Sequence, residues 1–281
     1  MYSNLNGKVA VVTGGGGVLG GAFAQELARH GVKVAILDLR LDAAKSVVDK
    51  IKSKGGKAIE VVYDVLDVKS VVKAEKIVLK ELGICDILIN GAGSNHPKGT
   101  TTKEILEIGD LENNGKNIMT FFDLDPKGFE FVFNLNFMGT LIPTQVFSKK
   151  MVNKKGATII NMSSMSAPCP MTKVPAYSSA KAAISNFTQW LAVYMANVGI
   201  RVNAIAPGFF LTEQNKNLLL NKDGSLTERS EKIISHTPLR RFREPKDLLG
   251  TLIWLCDDKS SGFVTGTVIP VNGGFMAYSG V

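Results

Sequence analysis

Short β-branched runs alternate with amphipathic stretches along the chain. Residues 8–13 (KVAVVT), 33–37 (KVAIL), 58–63 (AIEVVY), 86–89 (DILI), 157–162 (ATIINM), 201–205 (RVNAI) and 267–271 (TVIPV) read as strands. Helical patterns follow the first strand through Arg29 and then cover 42–54, 68–82, 129–152, 175–197 and 245–256. This alternation predicts βαβ units, hence an α/β fold with a parallel sheet. With right-handed crossovers the arrangement is a doubly wound, seven-stranded Rossmann sheet with helices on both faces. No Pro/Ser linker, charge run or internal repeat divides the chain, so 1–281 reads as one domain. Two stretches interrupt the regularity, 94–127 and 212–236. Each follows a strand end, and connections of such length are usually either functional or inert, disordered loops. They read as an insertion on the substrate side and a substrate lid.

Composition narrows the classes. The chain has 281 residues, of which 45% are hydrophobic, and this excludes disorder. No apolar run approaches the roughly 18–20 residues that span a bilayer, so no membrane association is expected. The first residues, MYSNLNGK, carry no signal-peptide apolar region. Cys85, Cys169 and Cys256 lack metal-ligand spacing, and so sparse and odd a set suits a reducing cytosol. A cytoplasmic protein without a metal site is expected. The net charge of +8 permits binding to anions. Its densest cluster, Arg240-Arg241-Phe242-Arg243, belongs to no nucleic-acid module, so no nucleic-acid partner is expected. The excess reads as solvated surface with an attraction for phosphates or carboxylates.

The first strand runs into Thr13-Gly14-Gly15-Gly16-Gly17-Val18-Leu19-Gly20 and then an Ala-rich helix. Glycines there let the backbone approach a pyrophosphate, while the helix N-terminus offers unpaired N–H groups. Asp38 ends the next strand 23 residues after Gly15, near the spacing expected of a carboxylate that grips the adenosine ribose. It would repel a 2′-phosphate, so NAD is expected over NADP. Arg40 either offsets that repulsion or lies in solvent. Asp64, with Val65 after the third strand, either reaches the adenine or caps the helix beginning near Asp67.

Tyr177 and Lys181 stand at i and i+4 in a helical pattern and so share a face. An ammonium beside a phenol favours the phenolate and readies it for proton transfer. Ser164 lies 13 residues upstream at a strand C-terminus, where ligands bind in parallel sheets.

The glycine turn, Asp38, Asp64, Asn90-Gly91-Ala92-Gly93, Asn136-Phe137-Met138-Gly139, Ser164, Tyr177/Lys181 and Pro207-Gly208 occur in one order over nearly the whole chain. In this the sequence resembles the short-chain dehydrogenase/reductase family. The resemblance implies that Tyr177 is the catalytic acid/base and that Ser164 hydrogen-bonds the reacting oxygen. Lys181 would hold the nicotinamide ribose and lower the tyrosine pKa, and Asn136 would anchor a water in a proton relay. Asn90, Ala92 and Gly93 would line the adenosine side, Pro207 and Gly208 would also meet the cofactor, and Thr212 would bind the carboxamide or phosphate. The family also implies a homotetramer. Its usual glycine positions correspond to Gly14, Val18 and Gly20, and Val18 departs from them. A second register runs through Gly15, Gly17 and Gly20, so the individual pyrophosphate contacts of Gly14, Gly15, Gly17, Val18, Leu19 and Gly20 stay open.

The stretches 91–97, 121–125, 141–145, 209–215 and 273–281 are similar to those of the D-mannonate oxidoreductases within that family, also called fructuronate reductases. That likeness implies interconversion of D-fructuronate and D-mannonate, with Asn95, His96, Ser164 and Gln214 meeting the sugar acid. His96 precedes Pro97, so a turn-capping role stands beside that one. Lys98, Lys173 and Arg240 are candidate carboxylate partners or plain surface charges. A gluconate, polyol or 3-oxoacyl reductase is the alternative within enzymes, and a non-enzymatic cofactor-binding regulator is the alternative outside them.

Overall fold

Aliphatic runs that are covered on both sides have no polar face to turn outward, and here they stack side by side in the interior. The computed structural model describes residues 3–112, 117–211 and 216–280. Its strands are β1 (Val9–Thr13), β2 (Lys33–Asp38), β3 (Ala58–Val62), β4 (Ile87–Asn90), β5 (Ala157–Met162), β6 (Ile200–Pro207) and β7 (Val268–Val271). They form one seven-stranded sheet in the order β3-β2-β1-β4-β5-β6-β7, with every pairing parallel. The expected architecture is therefore the observed one. The order reverses between β1 and β4, and this opens a crevice at the strand C-termini.

Successive side chains of a strand point to opposite faces, and two apolar layers result. Val12, Ile36, Ile89 and Ile205 pack against α1 (Val18–Arg29), α2 (Leu41–Lys52) and α9 (Leu249–Cys256). Val11, Ala35, Leu88 and Val202 pack against α3 (Val68–Glu81), α5 (Gly139–Met151) and α6 (Pro175–Met195). Among the described residues no helix is long and apolar enough to cross a membrane.

The single helix expected over 129–152 is instead broken. α4 (Pro126–Phe133) gives way to a π-helical turn, Asn134–Met138, before α5 begins. There the Gly139 N–H donates to the Asn134 carbonyl five residues back. Such single π turns are frequent at functional sites. The pattern at 245–256 likewise opens as a 3-10 turn, Pro245–Leu248, and becomes α9 only at Leu249.

The 94–127 stretch contains short 3-10 turns rather than long helices, at Pro97–Gly99, Ile108–Asp110 and Phe121–Asp123. Within 212–236 lie α7 (Lys216–Leu219) and α8 (Glu228–Ser235).

Candidate active site

At the end of β1 the chain turns through Gly14, which adopts φ +62°. A left-handed conformation of this kind costs glycine little and other residues more. The Asp38 carboxylate closes over the turn. Its Oδ2 accepts the Gly16 N–H at 3.0 Å, and its Oδ1 accepts the Arg40 N–H at 3.1 Å. A Cβ on Gly16 would lie 2.8 Å from Ala43 Cβ and 2.9 Å from both the Ala43 carbonyl carbon and Asp38 Oδ2, so glycine is required there. Gly16 was missing from the expected contacts. The signal for it is the strand-end aspartate, which needs a side-chain-free donor opposite. Gly17 is the N-cap of α1 and carries no capping side chain, and Val18 is exposed at the first helical position. The free N–H end of α1 and the Asp38 carboxylate together suit a dinucleotide, with phosphates at the former and ribose at the latter.

The loop after β4 faces this turn through its backbone. Thr13 Oγ1 accepts the N–H groups of Gly91 and Ala92 at 3.0 and 3.2 Å. The Asn90 side-chain amide turns toward the neighbouring helix and strand, while its Oδ1 has no partner among the described residues. Asn90 is buried, and its amide donates to Thr144 Oγ1 at 2.9 Å and Asn161 Oδ1 at 2.8 Å. Asp64 serves the turn before α3: its Oδ1 accepts the Leu66 N–H at 2.9 Å. The cap itself is Asp67, which accepts from Lys69 N at 3.0 Å, and Val65 is buried in the core.

Four side chains converge past β5. Pro175, whose missing N–H is no loss at a helix start, opens α6 and sets Tyr177 and Lys181 on one face. Lys181 Nζ lies 5.4 Å from the centre of the Tyr177 ring and donates to the Met162 carbonyl at 2.8 Å. Ser164 is buried just beyond β5, its Oγ accepting the Ser166 N–H at 3.1 Å. The next residue, Met165, donates its N–H to Pro207 O at 3.1 Å, which fixes the serine loop to the end of β6. The π turn aims Asn136 inward. Its Nδ2 donates to Ser94 O at 2.7 Å and Val132 O at 2.8 Å, while its Oδ1 is buried without a partner among the described residues. A Cβ on Gly93 would meet that Oδ1 at 2.5 Å and Lys181 Nζ at 3.4 Å, so Gly93 brings bare backbone against both.

Burial pushes the Tyr177 phenol above its ordinary range, and this outweighs the lowering by Ser164 and by the charge of Arg243. Burial also pulls the Lys181 ammonium down to about 8. Two cations therefore bear on the phenol: Lys181 over its ring and, through its charge, Arg243.

Of the expected sugar-acid residues, His96 caps its turn, with Nδ1 accepting the Lys98 N–H at 3.2 Å, and packs on Phe131 at 4.9 Å between ring centres. Asn95 donates to Thr100 Oγ1 at 3.0 Å, leaving its Oδ1 buried and unpaired among the described residues. Thr212 and Gln214 lie outside the described residues. Lys98 pairs with Asp125 at 3.0 Å, and Arg240 is exposed.

The residue missed outright is Arg243. Read from sequence as part of a surface cluster, it is only 8% exposed. Its Nη1 donates to Val271 O at 2.9 Å and its Nη2 to Gly208 O at 3.1 Å, and its Nε has no partner among the described residues. An aperiodic loop gives no pattern from which such burial can be read.

Comparison with known proteins agrees with this arrangement. The sequence model of the short chain dehydrogenase family matches residues 8–223. An uncharacterised oxidoreductase of Bacillus subtilis (strain 168), named UxuB, is 55% identical over 281 residues, covering 100% of this chain and 99% of its own. A Haemophilus influenzae protein proposed to be a D-mannonate oxidoreductase, crystallised with bound NAD, superposes with a TM-score of 0.95. It is 51% identical, and the match covers 100% of this chain and 99% of that one. The 7α-hydroxysteroid dehydrogenase of Escherichia coli (strain K12) is 30% identical over 270 residues, covering 96% of this chain and 94% of its own. On the full-length match, the parallel sheet and the tyrosine–lysine pair, the chain belongs to the short-chain dehydrogenase/reductase family of oxidoreductases.

Proposed function

We propose that this oxidoreductase interconverts D-fructuronate and D-mannonate with NAD(H) as cofactor. The observation that carries the reading is full-length likeness to the Haemophilus influenzae protein, which extends through both substrate-side segments. Asp38 at the glycine turn supports NAD over NADP, since a 2′-phosphate would face its carboxylate. Residues of the glycine turn, Asp38, the 91–93 backbone, Lys181 and Gly208 would hold the dinucleotide, which supplies the hydride for ketone reduction when bound.

In that reading Tyr177 delivers its phenolic proton to the carbonyl oxygen as the alkoxide forms. Its raised pKa keeps the proton available at neutral pH. Ser164 donates a hydrogen bond to the same oxygen and stabilises the charge that develops there. The unpaired Asn136 Oδ1 and Lys181 Nζ both lie near the Cβ position that Gly93 leaves empty, and a water shared by them would return a proton toward Tyr177.

A homotetramer is part of the proposal. Phe187, Trp190 and Tyr194 stack along the outer side of α6, with ring centres 6.2 and 5.0 Å apart, and Trp190 and Tyr194 are exposed. Sedimentation at micromolar concentration tests it, and a monomer would refute it.

The substrate is tested with NADH held fixed against D-fructuronate, a 7-oxo steroid, an acetoacetyl thioester and simple ketones. D-fructuronate is expected to lead by orders of magnitude in kcat/KM. Equal efficiency on a thioester or steroid, or none on D-fructuronate, refutes the assignment.

A further inference from the structure

A cavity of about 240 Å³ opens where the chain leaves β6 and β7, lined by Gly208, Phe209, Thr237, Arg243, Asp247 and Asn272 among others. Two buried donors there have no acceptor among the described residues: Arg243 Nε and Asn272 Nδ2. The cavity's acidic residue is already neutralised. Asp247 accepts Arg241 through both oxygens at 2.6 and 2.9 Å, and also the Glu244 N–H at 2.9 Å. Arg241 holds its carboxyl down to about 2. The Arg241–Asp247 pair cancels, and Arg243 leaves one net positive charge in the cavity lining.

The guanidinium is held in place. Its two bonds to Val271 and Gly208 fix the plane, and the Phe210 ring lies 5.2 Å from Cζ. Two of its five N–H bonds are used by carbonyls, and the Nε edge is left over. A planar fork with a free edge is what a carboxylate takes up in bidentate fashion. The location adjoins the reacting end, because Gly208 follows Pro207, to which the loop carrying Ser164 is bonded. Arg243 also acts electrostatically on Tyr177.

We propose that Arg243 and Asn272 form the site for the substrate's carboxylate, which selects a sugar acid over the neutral polyol of the same length. This deepens the substrate assignment above and rests on it. Lys98, Lys173 and Arg240 are then not needed for that role.

Calorimetry on the NADH-loaded protein tests the site, with D-mannonate and glutarate titrated against neutral D-mannitol. The native protein is expected to bind D-mannonate about a hundredfold more tightly than D-mannitol. Arg243→Gln should abolish this margin, with NADH affinity unchanged. Asn272→Asp keeps an acceptor for Gly274 N, which it now holds at 3.1 Å, and places a rival carboxylate in the cavity that Arg243 lines. It should abolish the margin as well, which guards against misfolding of the first variant. No carboxylate preference in the native protein, or a margin that survives both substitutions, overturns the proposal. So does a parallel loss of NADH affinity, which would make Arg243 a cofactor contact. If D-fructuronate is not turned over while the glutarate margin vanishes in both variants, the substrate assignment fails and the anion site stands. If native and variant proteins reduce D-fructuronate equally, the assignment stands and the site fails.

Discussion

Glu104, in the long connection between β4 and α4, accepts Arg229 of α8 at 3.3 Å and also meets Lys232 at 3.9 Å. The two segments that follow strand ends are thereby joined to each other, 125 residues apart in sequence. The contact is partly solvated, and such pairs contribute about 1 kcal/mol or less to stability. If 94–127 and 212–236 close over the substrate as proposed, Glu104→Gln should leave the unfolding midpoint nearly unchanged and raise the KM for D-fructuronate severalfold, because the closed arrangement loses this link. Added salt should reproduce that rise in the native enzyme and not in the variant. Steady-state kinetics at two ionic strengths decide it, and identical salt responses would count against a latch.

Tyr177→Phe removes only the proton donor. Turnover should fall at least about a hundredfold while NADH still binds, as fluorescence titration can show. Near-native turnover would remove Tyr177 from the chemistry.

Asp38→Ala deletes the acceptor that now holds the Gly16 and Arg40 N–H groups. The ratio of NADPH to NADH efficiency should rise, since the group that opposes a 2′-phosphate is gone. A native enzyme that already prefers NADPH would contradict this reading of Asp38.

Lys181 is buried, and its folded pKa of about 8 lies below the unfolded value near 10.5. Between those values the unfolded chain binds more protons, so this residue makes stability rise with pH across that window. The full effect is about 3 kcal/mol. Urea unfolding at pH 7 and pH 9.5 should therefore show a gain in the native protein that Lys181→Met lacks. Equal gains in both proteins would refute it.

What could be read from sequence was what periodicity and strand ends dictate. β1, β2 and β4 announce themselves by the aliphatic runs VAVV, VAIL and ILI, because both faces are covered. Asp38 and Ser164 are findable because each lies at a strand C-terminus, and Tyr177/Lys181 because i and i+4 share a helix face. The π turn was hidden, since one extra residue hardly disturbs an apolar pattern already spread around the helix. Asn90 and His96 were ambiguous for another reason. A polar residue beside a site looks the same whether it faces the ligand or a neighbouring hydroxyl or backbone N–H, and only packing chooses. Arg243 was invisible, because burial in a loop depends on which carbonyls come to meet it.

The turn at Asn134–Met138 also acts as a phase shifter between two helices. An α-helix advances about 100° per residue, so the one surplus residue there sets the rotation of α4 relative to α5. Deleting a single residue from it would let the two fuse into one uninterrupted helix of better local geometry. The amide of Asn136 would swing away from Ser94 O and Lys181, although every residue named in the chemistry would still be present. Dehydrogenase activity would fall in a protein with increased helical circular dichroism. The length of this helix, counted in residues, is thus as much a part of the site as any side chain on it.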